Sequence, residues 1–141
     1  MKKAAIVYRS RTGTTRRLAE EIGAFLATRN VEPIVVSIAD CDVRALGDVD
    51  YLFLGCWTSG LMVVLQRPDQ SWIEFVHSLP PIAGPRVGLF TTYKLATGSM
   101  FAQMRTHLAS RIPAIGLELK SRSGRLSEAD KQALERFVTD A

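Results

Sequence analysis

Residues 4–29, AAIVYRSRTGTTRRLAEEIGAFLATR, are the stretch that decides the fold. Residues 4–8 form a continuous apolar run, as expected of a strand buried on both faces of a sheet. Residues 14–29 place apolar side chains at helical spacing, with charged residues largely on the opposite side. The apolar positions are Leu18, Ile22, Phe25 and Leu26. A buried strand, a polar loop and an amphipathic helix follow one another, which predicts the first unit of an α/β fold.

The rest of the chain repeats this alternation. Further strands are expected at residues 31–38, 51–55, 86–91 and 112–119. Further helices are expected around residues 72–79 and 101–108, and after the capping-box pattern of Ser127 and Asp130. Pro33 cannot donate to a ladder and therefore favours an edge position for the second strand. Crossovers of helical length between five strands favour a parallel sheet with helices on both faces.

The composition fits one domain over residues 1–141, with 47% hydrophobic residues and a net charge of +4. The N-terminal apolar run is too short for a signal peptide or a membrane span, so a cytoplasmic location is expected. Cys41 and Cys56 are predicted to be reduced thiols. Neither histidine has ligands at metal-binding spacing, so no metal site is expected. The positive charge favours an anionic ligand, an acidic protein or nucleic acid, and charge alone does not choose between them.

The loop after the first strand carries hydroxyls at the start of a helix. Ligands of parallel sheets bind beyond the carboxyl ends of the strands, so the loops after strands one, three and four are the candidates. The first loop consists of Ser10, Arg11, Thr12, Gly13, Thr14 and Thr15. Unpaired N–H groups and the helix dipole favour an anion at this position. One hydroxyl would suffice for a helix cap, so four of them predict a phosphate site.

This loop resembles the phosphate loop of the flavodoxin family, which follows the first strand and has the pattern Ser/Thr-x-Thr-Gly-x-Thr. The four specified positions are occupied by Ser10, Thr12, Gly13 and Thr15. The resemblance implies that these hydroxyls and the adjoining backbone N–H groups bind the terminal phosphate of FMN.

Arginines around this loop are a departure from the family, which typically has no arginine cluster there. We expect Arg16 and Arg17 to lie on a solvated helix face and Arg11 to contact the phosphate.

The second candidate loop is predicted over residues 56–68. It begins with Cys56, Trp57, Thr58, Ser59 and Gly60. It resembles the flavodoxin loop that begins Gly-Cys or Gly-Ser, contains Trp or Tyr and flanks the isoalloxazine. Trp57 precedes Thr58, whereas the commoner order in the family is Ser-Thr-Trp-Gly, so the flavin face that Trp57 covers stays open. The alternative roles for the Trp57 ring are packing in the core and a contact in a dimer. Cys56 is interpreted as a small packed residue, because Met62 stands where a Cys-x5-Arg phosphatase needs arginine.

The third candidate loop follows the fourth strand. Its candidate cofactor-binding residues are Thr91, Thr92, Tyr93, Lys94, Thr97 and Gly98. A second aromatic ring at the same edge of the sheet could enclose a flat ligand, and Gly98 permits a close backbone approach. The resemblance assigns Tyr93 to one flavin face, whereas a surface aromatic is the alternative. Lys94 stands where flavodoxins typically place an acidic residue.

The resemblance implies a flavodoxin-like three-layer sandwich with a five-stranded parallel sheet of order 2-1-3-4-5. It also implies an electron-transfer protein that binds FMN without a covalent link and needs no catalytic side chain. The expected partner is a redox protein with an acidic docking surface, and no membrane or nucleic-acid partner is expected. The alternatives are a small FMN-dependent oxidoreductase acting on a quinone, a porphyrinogen or a similar molecule, and a flavin-free binding module. A receiver domain is disfavoured, because Tyr8 and Arg9 stand where that fold needs acidic residues.

Overall fold

A computed structural model describes residues 1–61 and 64–139. The strands are β1 (Lys2–Arg9), β2 (Val31–Ser37), β3 (Tyr51–Leu61), β4 (Val64–Pro68), β5 (Arg86–Thr92) and β6 (Leu117–Ser121). The α-helices are α1 (Thr14–Ala27), α2 (Gln70–His77), α3 (Met100–Leu108) and α4 (Glu128–Thr139). Two short 3-10 helices, Ile38–Asp40 and Val43–Asp48, lie between β2 and β3. In the described part of the chain, no helix is both long and apolar enough to cross a membrane.

Five of the strands form the predicted parallel sheet. Their order is β2-β1-β3-β5-β6, which is 2-1-3-4-5 when the parallel strands alone are numbered along the chain. β2 lies at the edge, as Pro33 indicated. The carboxyl ends of β1, β3 and β5 therefore lie side by side, and the three candidate segments begin there.

The prediction of a loop over residues 56–68 is wrong for the residues of this segment that the structure describes. β3 continues to Leu61, and β4 returns antiparallel to it, with Thr58 opposite Pro68 and Ser59 opposite Arg67. Cys56 and Trp57 remain in the sheet because they pair with the last residues of β5. Met62 and Val63 lie outside the described residues.

The fifth parallel strand also begins later than predicted. It was expected from residue 112, but β6 starts at Leu117. Pro113 has no N–H to donate to a ladder, and the N–H of Ile112 instead donates to the carbonyl of Leu108 at the end of α3. Ile112 is still buried and belongs to the hydrophobic core.

Helices cover both faces of the sheet, as predicted. Leu52 and Leu54 of β3 belong to the same core cluster as Trp72 of α2 and Met104 of α3. The alternate side chain, Phe53, belongs to the opposite cluster, whose helix residues include Leu18, Ile22, Leu134 and Phe137. The alternation of side chains along β3 thus supplies both cores. The capping box is confirmed, since Asp130 N–H donates to Ser127 Oγ at 3.1 Å and Ser127 N–H to Asp130 Oδ2 at 3.3 Å.

A close contact in the centre of the sheet requires glycine at residue 55. The ring of Phe90, in the neighbouring strand, lies across Gly55, and a Cβ at residue 55 would be 2.1 Å from Phe90 Cε2. Phe90 is fully buried, so its ring has little room to move aside.

Candidate functional site

A cavity of about 710 Å³ lies at the carboxyl ends of β1, β3 and β5. Its volume falls within the range of roughly 300–1,000 Å³ found for small-molecule sites. The residues predicted from the sequence that line it are Arg11, Thr12, Thr14, Thr15, Trp57, Thr58, Ser59, Thr92, Tyr93 and Lys94. Four lining residues were not predicted: Gln66, Leu95, Ala96 and Arg122. All three candidate segments therefore meet at one cavity.

The first loop leads into α1 through a left-handed glycine. Gly13, with φ of +98°, is the residue before the helix, and this conformation favours glycine. Its N–H donates to Ser10 Oγ at 3.0 Å, so Ser10 holds the shape of the loop. Within the described residues, no side chain caps the N-terminus of α1. The N–H groups of its first turn are therefore free of a side-chain acceptor beside the exposed Thr12, which suits an anion.

Two pairs of hydroxyls tie the three segments together. Thr15 Oγ1 lies 2.6 Å from Thr92 Oγ1, and both residues are buried. Thr58 Oγ1 lies 2.8 Å from Thr91 Oγ1, and Thr91 is fully buried. The first pair joins α1 to β5, and the second joins β3 to β5. These four threonines therefore fix the relative positions of the cavity walls.

Trp57 is held by a residue that the sequence analysis missed. Its indole Nε1 donates to Asp69 Oδ2 at 2.8 Å, while the other carboxylate oxygen accepts from Ser71 N–H at 2.7 Å and caps α2. The guanidinium of Arg11 lies 5.2 Å from the centre of the Trp57 ring. Trp57 also packs partly against the core, so core packing and a place in the cavity wall are combined in one side chain.

The environment of Asp69 stabilises its carboxylate form. Burial acts to raise the pKa, but the hydrogen bonds from Ser71 and Trp57 and the charge of Arg9 outweigh it, so the pKa of Asp69 is lowered. Arg9 Nε lies 3.4 Å from Oδ2. Asp69 is therefore an ionised acceptor for the Trp57 indole over the whole neutral range.

The described lining of the cavity carries positive charge and no carboxylate. Its cations are Arg11, Lys94 and Arg122, and the guanidinium of Arg122 lies 5.8 Å from the ring centre of Tyr93. Arg122 follows β6 directly, at the same edge of the sheet. Inspection of the segment after the fifth parallel strand would have found it. Hydroxyls, free helix N–H groups, two aromatic rings and three cations together fit a phosphorylated ligand with a flat ring.

The family model described as Flavodoxin domain matches residues 5–114. The chain belongs to the flavodoxin family. Flavodoxins bind FMN and transfer electrons to redox partner proteins. The matched residues include the first loop, both threonine pairs and Trp57, Asp69 and Tyr93.

Two curated flavodoxins are similar to this chain. The flavodoxin of Clostridium beijerinckii is 30% identical over 93 residues, and that of Megasphaera elsdenii is 32% identical over 95 residues. Each match covers 66% of this chain and 66% of the relative, so the aligned part spans about two thirds of their length. The solution structure of two-electron reduced Megasphaera elsdenii flavodoxin has a TM-score of 0.77 at 21% identity, covering 98% of this chain and 99% of that chain. The structural similarity shows that the two chains share a fold.

Several residues predicted from the flavodoxin resemblance are placed outside the described cavity lining. They are Ser10, Gly13, Cys56, Thr91, Thr97 and Gly98. Ser10, Gly13 and Thr91 shape the walls through the contacts above. Gly98, with φ of +52°, approaches Gln66: a Cβ there would be 2.5 Å from Gln66 Oε1. Gly60 is part of β3, and the carbonyl of Thr97 accepts from Met100 N–H at 2.9 Å.

Cys56 is a core residue rather than a reactive thiol. It is fully buried, and burial raises its pKa to about 12. Its sulfur accepts from Asp69 N–H at 3.4 Å and donates to the carbonyl of Trp57 at 3.3 Å. The interpretation of Cys56 as a small packed residue agrees with this position, and its thiol is not a contact for a ligand in the cavity.

Proposed function

We propose that this chain binds FMN without a covalent link and exchanges electrons with a partner protein. The observation that carries the proposal is that Thr12, Trp57 and Tyr93, from three segments distant in sequence, line one cavity at the carboxyl edge of the sheet. This is where open parallel sheets bind ligands. Membership of the flavodoxin family supports the same ligand.

The cavity divides into a phosphate end and a ring end. Thr12, Thr14 and the first-turn N–H groups of α1 would hold the phosphate, and Trp57 and Tyr93 would lie beside the isoalloxazine. The flavin supplies the redox chemistry when bound. The protein holds the ring, limits the access of water and sets the charge around it, so no side chain has to act as an acid, a base or a nucleophile.

The test is the visible spectrum of untagged purified protein, followed by identification of the released flavin. Bound FMN should give the oxidised flavin bands, and the stripped protein should regain them with FMN. A colourless protein that cannot be reconstituted with FMN would refute the proposal. Such a result would support the flavin-free binding module.

The cations at the cavity favour an acidic partner. Lys94 is exposed beside Tyr93, and Arg67 is exposed on β4. Electron exchange at low salt should be fastest with an acidic donor or acceptor, and it should slow as the Debye length falls toward about 8 Å at 0.15 M salt. Faster exchange with a basic partner under the same conditions would refute this choice. We place the exchange in the cytoplasm.

A second candidate is a small FMN-dependent oxidoreductase with an anionic substrate. It is favoured by Arg11 and Arg122, which line the cavity itself beside the two aromatic rings. A porphyrinogen carries carboxylates that such cations would attract, whereas a neutral quinone does not. Steady-state turnover of the FMN-loaded protein with a porphyrinogen or with a quinone would establish this enzymatic activity. Electron exchange with proteins, without turnover of either small molecule, would support the electron-transfer protein.

A further inference from the structure

The hairpin of β3 and β4 brings Asp69 beside Trp57. Thr58 lies opposite Pro68 in this hairpin, and the next residues in the same register are Trp57 and Asp69. The indole Nε1 of Trp57 donates to Asp69 Oδ2 at 2.8 Å. The backbone N–H of Asp69 donates to the sulfur of the buried Cys56 at 3.4 Å, which holds the backbone of Asp69 against β3. The contact between the carboxylate and the indole therefore rests on a fixed backbone.

Asp69 lies behind the wall of the cavity. Trp57 lines the cavity, whereas Asp69 is not among the described lining residues. The Asp69 side chain is only 13% exposed, so little water competes for its oxygens. Both oxygens accept bonds within the protein, one from the N–H of Ser71 and the other from the indole. A ligand in the cavity therefore meets the ring of Trp57, and Asp69 acts on that ligand only through the ring.

The bond to Asp69 determines the orientation of the Trp57 ring. The indole has one polar hydrogen and no acceptor, so its nitrogen has no other bond to make. Packing alone does not enclose the ring, because Trp57 is only partly buried and Arg11, whose guanidinium lies 5.2 Å from the ring centre, is exposed. An indole without this bond would adopt several orientations, and a flat ligand would have to order it on binding. Such ordering lowers the affinity, whereas a ring that is already held in place does not have this cost.

We propose that Asp69 is a positioning residue for flavin binding, whose carboxylate holds the Trp57 ring in place as one wall of the cavity before FMN enters. The inference rests on the proposed FMN binding. It requires a flat ring beside Trp57 and does not depend on which edge or face of the flavin Trp57 covers. Riboflavin has the same ring as FMN, so the effect of Asp69 should be the same for both flavins.

The experiment compares the dissociation constants of FMN and riboflavin, measured by quenching of flavin fluorescence. The proteins are the wild type, Asp69→Asn, Trp57→Phe and the double variant. Asp69→Asn keeps an oxygen for the cap of α2 but turns an NH2 group toward the indole N–H, so two donors face each other. It should weaken the binding of both flavins by the same factor, about twofold to tenfold, which corresponds to ordering one side chain on binding.

Trp57→Phe makes the test specific, because phenylalanine keeps an aromatic ring but has no N–H. In this background Asp69→Asn should not change the affinity for either flavin. The double-mutant cycle thereby separates the indole bond from the Arg9 ion pair and from the cap of α2, which both backgrounds share. Asp42→Asn is the matched control, since Asp42 is an exposed carboxylate that caps a 3-10 helix, and it should leave both dissociation constants unchanged.

Nuclear magnetic resonance of the FMN-loaded protein tests the indole bond directly. The chain has two tryptophans, so two indole N–H signals are expected, and Trp57→Phe identifies the signal from Trp57. This hydrogen should exchange with solvent faster in Asp69→Ser than in the wild type. Serine still caps α2 but is too short to reach the indole, so Asp69→Ser also replaces the asparagine variant if that variant does not fold.

The outcomes separate this inference from the proposed function. Wild-type protein that binds FMN, with equal losses from Asp69→Asn whether or not Trp57→Phe is present, would overturn the inference and leave the proposed function intact. The same holds for an Asp69→Asn variant that binds both flavins as tightly as the wild type. Wild-type protein that does not bind FMN would overturn the proposed function, and the inference would fall with it.

Discussion

The carboxylate of Asp69 joins three parts of the site, so its replacement by asparagine should have a measurable cost. It accepts from the Trp57 indole at 2.8 Å and from Ser71 N–H at 2.7 Å, and Arg9 Nε lies 3.4 Å away. In Asp69→Asn the remaining oxygen can still cap α2. The new NH2 group then faces two other donors, Trp57 and Arg9, and cannot satisfy either.

The expected loss follows from these contacts. A hydrogen bond to a charged group contributes about 1.5–3 kcal/mol. The Arg9 pair contributes about 0–1 kcal/mol, because the Arg9 side chain is 37% exposed and screened by water. The free energy of unfolding should therefore fall by about 1.5–4 kcal/mol at pH 7. Asp69→Ala, which also loses the cap of α2, should lose about 1 kcal/mol more.

The pH dependence has a definite sign. The pKa of Asp69 is lower in the folded state than the value of about 3.9 expected for the unfolded chain. Its stabilising contribution is therefore complete above about pH 4 and is lost as the pH falls through the folded pKa. The difference between wild type and Asp69→Asn should be constant from pH 7 to about pH 4 and should shrink below it.

Urea unfolding followed by circular dichroism at several pH values checks both statements. Asp42→Asn is the matched control, because Asp42 caps the second 3-10 helix and accepts from Arg44 N–H, but it is exposed and has no indole partner. Its effect should be within about 0.5 kcal/mol. Equal effects of the two substitutions at pH 7, or a difference for Asp69→Asn that persists unchanged below pH 4, would refute the reasoning.

Three further predictions concern the cavity and the core. Thr12→Val should weaken FMN binding by about 1.5–3 kcal/mol and riboflavin binding much less, because the lost hydroxyl serves the phosphate; equal losses in fluorescence titrations would place the phosphate elsewhere. Lys94→Met should make the second one-electron potential more negative, because the charge of Lys94 favours the anionic fully reduced flavin. The corresponding change in free energy should be at most about 1 kcal/mol, because Lys94 is exposed. No shift in a potentiometric titration would assign Lys94 to the solvent. Iodoacetamide at pH 8 should label the partly exposed Cys41 before Cys56, whose pKa is about 12; mass spectrometry that finds Cys56 labelled first would contradict its burial.

Remote substitutions of the same kind provide the controls. Thr106→Val removes an exposed hydroxyl of α3 that bonds the carbonyl of Ala102, and it should not change the preference between FMN and riboflavin. Lys131→Met removes a charge of α4 and should not change the potential, because that charge lies on another surface of the molecule, beside Glu128.

The parts of the fold that sequence predicted well are those with local signals. Residues 4–29 place a buried strand, a hydroxyl-rich loop and an amphipathic helix next to one another, and each is recognised from neighbouring residues alone. The hairpin of β3 and β4 lacks such a signal. Residues 56–60 are small, hydroxylated or aromatic, as in many loops. Cys56 and Trp57 stay in the sheet through their pairing with Thr91 and Thr92 of β5, more than thirty residues away.

The candidate site shows the same division. The hydroxyls of the first loop could be predicted because their place after a strand is visible in the sequence. Asp69 could not, because its carboxylate meets Trp57 only after the hairpin has folded back. The pairing of Thr15 with Thr92 spans 77 residues, and nothing in either local sequence shows that the two hydroxyls share a bond.

The ring of Phe90 that lies across Gly55 constrains how this flavodoxin can diverge. A side chain at residue 55 would collide with the ring, and loss of the ring would open a cavity costing about 3–5 kcal/mol. Either substitution made alone is therefore destabilising. The small and the large residue can change places only through an intermediate in which residue 90 has become smaller and the neighbouring core has filled the space. Descendants should therefore inherit the two residues as a pair: the small one in β3, the strand that leads directly to Trp57, and the large one in the neighbouring β5.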